Sequence, residues 1–366
     1  MRAVIRRNKA LVCDEIAPPQ PGPGQVLVKT LCCGICGSDL HALHSLDHMV
    51  ALTRRAGGGV GGGLDPARDV VFGHEFCAEV IEYGPGDSEG ARLKAGARVV
   101  SMPVIMDAQG FEAIGYSNRY PGGFADYMAL MAPMLIEVPN GLSSAHAALT
   151  EPMAVGAHAV AQSALEQGST ALVIGCGPVG LAVIASLKAR RAETGWGTII
   201  AADFSARRRA AAAAMGADIV IDPGADDPHG KWAEFGVPDT PGAALLARMA
   251  GQTIARPVVF ECVGAPGVLQ TLIERAPPHA QILVAGVCMQ SDQIEPSLAI
   301  NKQLELKFVL GYSPEEFAHT LRDIAEGRID VSPLITSTVG FAGVADAFAA
   351  LANPDAEVKV MVAPSV

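Results

Sequence analysis

Seven side chains with the capacity for metal or proton chemistry stand out by type and by company. Four fall in one run, Cys32-Cys-Gly-Ile-Cys36-Gly-Ser38-Asp39-Leu-His41; His74 and Glu75 follow Gly73; Glu151 precedes Pro152. A thiolate, an imidazole and carboxylates are ligands that suit Zn²⁺, so Cys36, His74, Glu75 and Glu151 form a candidate set. Each is unremarkable alone, since a lone cysteine is usually a small buried apolar residue. Company changes the weighing: Cys36 is followed at +2 by a hydroxyl, at +3 by an acid and at +5 by a histidine.

A second stretch carries a different chemistry. Ala171-Leu-Val-Ile-Gly175-Cys-Gly177-Pro178-Val179-Gly180 reads as a buried strand, a glycine turn and the start of a helix. The glycines match G-x-G-x-x-G, and the context matches too. A second apolar strand, Thr198–Ala202, ends on Asp203, 23 residues after Gly180, near the spacing of about 20 expected for an acid on a ribose. Gly175 allows the tight turn, Gly177 lets backbone approach a pyrophosphate, and Gly180 lets helix pack on strand. The helix N-terminus offers N–H groups and a positive dipole end to phosphates.

The elements that must position these groups divide the chain in two. Residues 1–140 are mostly β with many turns, including Pro18-Pro-Gln-Pro-Gly-Pro-Gly24. Residues 42–69 read as a connector, and the centre, Ala56-Gly-Gly-Gly-Val-Gly-Gly-Gly63, as a surface loop bordering a site. Ser143–Leu165 is alanine-rich and helical. From 170 strands (171–174, 198–202, 219–221, 257–263, 280–286) alternate with helices (178–191, 205–215, 266–276), which predicts a parallel, doubly wound sheet. A helix near 242–250, a strand at 304–310, helices at 313–326 and 344–351, and an apolar final strand at 358–362 complete the reading.

Composition narrows the class. The 366 residues suffice for two domains with proper cores. Half the residues are hydrophobic, 18% are charged, and the net charge of −11 argues against a nucleic-acid or anionic-membrane partner. The first residues lack the apolar stretch of a signal peptide and no run reaches the roughly 18 apolar residues of a spanning helix, so a cytoplasmic location is expected. Eight scattered cysteines are no secreted disulfide framework.

Taken in order, Cys33-Gly-Ile-Cys36-Gly-Ser-Asp39, Gly73-His74-Glu75, Thr150-Glu151-Pro152 and Gly175-x-Gly-Pro-Val-Gly180 resemble the zinc-dependent medium-chain alcohol dehydrogenases. The nearest branch is the polyol group of sorbitol, threonine, butanediol and glucose dehydrogenases. The resemblance covers essentially the whole chain. It implies an α/β fold: a GroES-like, β-rich catalytic domain from residues 1–150 and 301–366, and a Rossmann domain from 151–300 with a doubly wound parallel sheet. It implies one catalytic zinc in the cleft between them, on Cys36 and His74, with Glu75 and Glu151 as candidates for the remaining positions. Asp39 then resembles the acid that orients the ligand histidine, Ser38 the hydroxyl that touches the substrate oxygen, and His41 the group that passes the proton to solvent. His44 has no matching role. Zinc would act as a Lewis acid on the alcohol, which then yields hydride to the nicotinamide.

The sequence departs from that family twice. Many relatives carry four closely spaced cysteines for a structural zinc, whereas residues 90–130 contain none, so that site is expected to be absent and Met102–Tyr120 to replace it. The spacing of 38 from Cys36 to His74 is longer than the family's habit, the excess lying in 45–68. Asp203 favours NAD over NADP because it would repel a 2′-phosphate, although Arg207, Arg208 and Arg209 stand close by. Val263-Gly264 and Gly286-Val287 are expected near the nicotinamide. Ser38, Phe72, Met102, Tyr116, Phe124 and the 45–68 loop are candidate pocket residues. The family further implies a small alcohol or carbonyl substrate and a homodimer or homotetramer built on an edge strand around 280–300. Two other readings stay open: a zinc-free quinone or enone reductase of the same superfamily, and a non-enzymatic nucleotide-binding protein.

Overall fold

The computed structural model describes residues 1–58, 63–86, 92–139 and 141–366. Its elements begin with β1 (Arg2–Arg7), β2 (Ala10–Glu15), β3 (Gln25–Gly34), α1 (Gly37–Arg55), β4 (Val70–Val71), β5 (Glu75–Tyr83) and β6 (Arg98–Val100). Next come β7 (Val104–Asp107), β8 (Gly110–Ala113), β9 (Tyr127–Met131), β10 (Ile136–Glu137), α2 (Ser144–Ala148) and α3 (Thr150–Ala161). Alternation follows: β11 (Ala171–Ile174), α4 (Pro178–Thr194), β12 (Ile199–Ala202), α5 (Ala206–Met215), β13 (Ile219–Ile221), α6 (Pro241–Met249), β14 (Val258–Glu261), α7 (Val268–Arg275), β15 (Gln281–Val284), α8 (Pro296–Lys302) and β16 (Glu305–Phe308). Last are α9 (Pro314–Ala325), β17 (Ile335–Val339), α10 (Val344–Leu351) and β18 (Lys359–Val362).

The chain forms two compact units. The first comprises Met1–Glu151, Phe317–Glu326 and Ile335–Val366. Its largest sheet runs β10-β6-β5-β3-β18-β17, with β9 also on β3; β2-β1-β4 and the β7-β8 hairpin stand apart. Alternating valines on β3 put Val26 and Val28 into the core with Phe72, Phe76, Phe124 and Met128, all buried. Phe72 and Phe124, read from sequence as pocket residues, are thus fully buried core side chains. Strand β18 pairs antiparallel with β3 at Met361–Gly34 and Val362–Cys33, so a late segment of the chain completes an early sheet.

The second unit comprises Pro152–Glu316 and Gly327–Leu334. Its six parallel strands run β13-β12-β11-β14-β15-β16. The near-continuous apolar strands, Ala171-Leu-Val-Ile and Val258-Val-Phe among them, suit a sheet covered on both faces. Two sequence expectations change here. The sheet does not end with the strand near 280–286: Gln281–Val284 pairs on both sides, and the edge is β16. For the same reason this unit passes the 300 boundary read from the sequence and runs to Glu316.

A third expectation also changes. The segment from 42 was read as a connector, but α1 continues to Arg55 across a kink at Ser45. Ala42, Leu46 and Val50 are buried at four-residue spacing, the stripe a helix needs on a core; the glycine run after it masked that period. Of that run, residues 59–62 lie outside the described residues.

Candidate metal and nucleotide sites

In the first unit, β3 ends at Gly34 and delivers Cys36 to the N-cap of α1. Asp39, three residues on, turns back, and its Oδ2 accepts the Cys36 N–H at 3.0 Å. This cap satisfies a helix-end donor and holds the buried Asp39 carboxylate beside the cysteine. His74 and Glu75 arrive from the β4–β5 turn. Gly73 there has φ of +102°, and a Cβ on it would meet Cys33 Sγ, Gly123 N and Phe124 Cδ1, each at 2.9 Å, so only glycine makes the turn that presents His74.

Ligand atoms of Cys36, His74 and Glu75 all lie within 4.8 Å of one another. His74 Nδ1 is buried, makes no hydrogen bond of ordinary geometry, and sits 3.5 Å from Asp39 Oδ1. Burial opposes a charge on His74, but the negative charges of Asp39 and Cys36 outweigh it and hold its pKa well above the ordinary value. A sulfur, an imidazole nitrogen and a carboxylate meeting in one place fit Zn²⁺.

Glu75 is also claimed from the other side. Lys359, on β18 and wholly buried, donates to Glu75 Oε1 at 2.7 Å, to Oε2 at 2.8 Å and to the Ile35 carbonyl at 3.0 Å. Burial disfavours the ammonium, yet Glu75 and Cys36 more than offset this and raise its pKa. Any metal on Glu75 must share that carboxylate with Lys359. Glu151 is not in the three-residue group, and its charge acts on Lys359. The sequence reading missed Lys359; the available signal was one lysine in Val358-Lys359-Val-Met-Val362.

Tyr116 closes the cluster. Its ring centroid lies 5.8 Å from that of Phe72 and 5.4 Å from that of His74. Its hydroxyl is 2.9 Å from both Ser38 Oγ and Asp39 Oδ1. Burial and the charge of Asp39 push the phenol well above its usual pKa. His41 is exposed on α1, as is His44. The segment read as replacing a four-cysteine lobe holds the β7–β8 hairpin and the loop after it, from which Arg119 pairs with Asp107 at 2.5 Å and with Glu112, and Tyr120 donates to Asp107 at 2.8 Å.

The second unit builds its site from backbone. Gly177 caps α4, with Pro178 as the first helical residue, where a missing N–H costs nothing. A Cβ on Gly180 would lie 1.8 Å from the Gly175 carbonyl oxygen, whereas one on Gly177 would meet nothing nearer than the Arg208 guanidinium at 3.8 Å. The turn is therefore tight at Gly180 and open at Gly177, where a ligand's approach needs room. Strand order reverses between β12-β11 and β14, the position where open α/β sheets bind ligands beyond their carboxyl ends.

Asp203 follows β12. Its Oδ2 accepts from Cys176 N at 2.7 Å and its Oδ1 from Ser205 N at 2.8 Å, so the acid is fixed against the glycine turn. Arg209 donates to the Asp203 and Phe204 carbonyls and pairs with Asp222 at 2.9 Å. Arg208 Nη1 is 4.0 Å from Asp203 Oδ2. Val263 and Val287 are exposed apolar residues just past β14 and β15. Between them stands a residue the sequence reading missed. Glu261, buried at the end of β14, accepts from Val263 N at 2.7 Å and Gly264 N at 2.9 Å, fixing that loop. An acid closing an apolar strand was its signal.

Comparison with known proteins identifies the family. Residues 22–140 match the alcohol dehydrogenase GroES-like domain and 178–326 the zinc-binding dehydrogenase domain. The chain is 30% identical to (R,R)-butanediol dehydrogenase of Bacillus subtilis (strain 168), over 100% of both chains. It is 27% identical to sorbitol dehydrogenase of the same strain, over 100% of this chain and 98% of the relative. A crystal structure of a zinc-binding dehydrogenase from Sinorhizobium meliloti 1021 bound to NADP superposes with a TM-score of 0.77 at 26% identity, covering 99% of each chain. Among the described residues no helix is long and apolar enough to cross a membrane.

Proposed function

The chain belongs to the zinc-dependent medium-chain alcohol dehydrogenases and is a nicotinamide-dependent alcohol dehydrogenase; from that premise we propose that it oxidises secondary alcohols, vicinal diols or polyols reversibly with NAD. The meeting of Cys36, His74 and Glu75 within 4.8 Å carries the reading. Neither a zinc-free reductase nor a binding protein without turnover has use for such a cluster. The butanediol and sorbitol relatives support the substrate class.

Cys36, His74 and Glu75 would hold one zinc, with Glu151 as a further candidate. Bound there, zinc supplies Lewis acidity to a substrate oxygen. Asp39, behind His74 Nδ1, orients the ring and leaves Nε2 for the metal. Ser38 meets the substrate hydroxyl, and His41, exposed on α1, exchanges the proton with solvent. Gly175, Gly177, Pro178, Val179 and Gly180 cradle the pyrophosphate, and Val263, Gly286 and Val287 flank the nicotinamide. Asp203 receives the ribose hydroxyls. Its fixed carboxylate disfavours a 2′-phosphate, and of the neighbouring arginines Arg209 is committed to two carbonyls and Asp222. We take the working form as a cytoplasmic homodimer or homotetramer, with β16 as the exposed sheet edge.

The test is metal content per chain, read with NADH and NADPH production over a panel of secondary alcohols and polyols. About one zinc per chain is expected, with turnover at least about a hundredfold lower in Cys36→Ala and faster with NAD than with NADP. A metal-free preparation with full activity would sink the proposal, and faster turnover with NADP would overturn its cofactor half.

A further inference from the structure

The Tyr116 hydroxyl has one proton and two oxygen neighbours, Ser38 Oγ and Asp39 Oδ1, each at 2.9 Å. A carboxylate accepts and cannot donate, and Asp39 already receives the Cys36 N–H. The phenol proton therefore goes to Asp39. The contact with Ser38 must then run the other way, with the Ser38 hydroxyl donating to the phenol oxygen. This spends the only proton Ser38 has, and leaves lone pairs alone for anything that approaches Oγ.

We infer that Tyr116 is a positioning residue that makes Ser38 a hydrogen-bond acceptor, so that the site favours the alcohol, which can donate, over the carbonyl, which cannot. The inference rests on the proposed function, in which Ser38 meets the substrate oxygen. The orientation is built in. Tyr116 is held by Phe72 and His74 through its ring, and Asp39 is buried and fixed by the helix cap. The chain Ser38 to Tyr116 to Asp39 has one consistent direction. In Tyr116→Phe the ring stays, Ser38 regains a free proton, and it donates to a carbonyl oxygen.

The experiment measures the KM and the dissociation constants of butan-2-ol and butan-2-one, the latter from nicotinamide fluorescence in the cofactor complex, together with zinc content per chain. In Tyr116→Phe the alcohol should bind about five- to tenfold more weakly and the ketone more tightly, the size of one hydrogen bond, with zinc content unchanged. In Ser38→Ala/Tyr116→Phe that opposition should vanish. Equal changes for both ligands, no change for either, or loss of zinc would overturn the inference, because each describes a ring or a carboxylate support and not a set proton direction. Ser38→Ala separates the two levels. If it alters neither ligand, Ser38 does not meet the substrate and the underlying reading fails. If it weakens both while Tyr116→Phe moves them together, only the inference fails.

Discussion

The two candidate sites are built by opposite means. In the β-rich unit the site is made of side chains that come from residues 36, 39, 74, 75, 116 and 359 and meet in a buried polar cluster. In the second unit it is made mostly of backbone from one contiguous stretch, and depends on side chains being absent. The first arrangement can hold charge in a dry interior because every charge has a partner: Lys359 with Glu75, Asp39 with Cys36 N–H and the Tyr116 hydroxyl. The second has no such debt, and its acids, Asp203 and Glu261, are each anchored by two backbone N–H groups. A side-chain site fails when a partner is removed; a backbone site fails when an atom is added.

The largest effect should come from Lys359→Met. It leaves the Glu75 carboxylate buried without its cation, and breaking such a pair costs about 3–5 kcal/mol. Denaturant unfolding checks this, and Glu75→Gln in the same chain should recover most of the loss. A Lys359→Met protein as stable as the parent would break the comparison on the side-chain side. Gly180→Ala should come next. Its methyl falls 1.8 Å from the Gly175 carbonyl oxygen, and overpacking of this kind costs about 1–3 kcal/mol. Titration of NADH fluorescence should show weaker cofactor binding with zinc content untouched. If zinc were lost as well, the two sites would not be separable as argued. The smallest effect sharpens the contrast from within the first unit. Arg119, in the loop after the β7–β8 hairpin, also joins two acids, Asp107 and Glu112, but at the surface, where water competes. Arg119→Ala should lower the melting temperature by no more than about 3 °C.

The same contrast explains what was legible. The glycine turn could be read because all its parts are neighbours in sequence and its chemistry demands fixed spacing. Asp203 followed by strand counting. The metal cluster was legible only as separate motifs, since nothing in the spacing of 36, 74 and 75 says that they meet. Lys359 was not legible, because a lysine in a strand is ordinarily a solvated side chain and its partner lies 284 residues earlier. Tyr116 was nameable as a pocket residue, but its bond to Ser38 belongs to tertiary structure. The edge of the parallel sheet was misplaced for a simpler reason: β16 follows the short helix α8 and reads as an isolated strand, so the alternation looked finished one strand too soon. The first helix was cut short because the glycine run beyond it outweighed the Ala42, Leu46, Val50 stripe.

The return of β18 to β3 also sets a schedule for synthesis. At roughly 5–20 residues per second, the ribosome makes Glu75 roughly a quarter of a minute to a minute before Lys359. Throughout that interval the nascent β-rich half has an open flank beside Cys33 and Gly34, where β18 will pair. It also has a carboxylate with no ammonium to meet it. Glu75 therefore cannot meet its cation before the distal strand is made and docked, and only then do the residues that would receive the metal form a finished site.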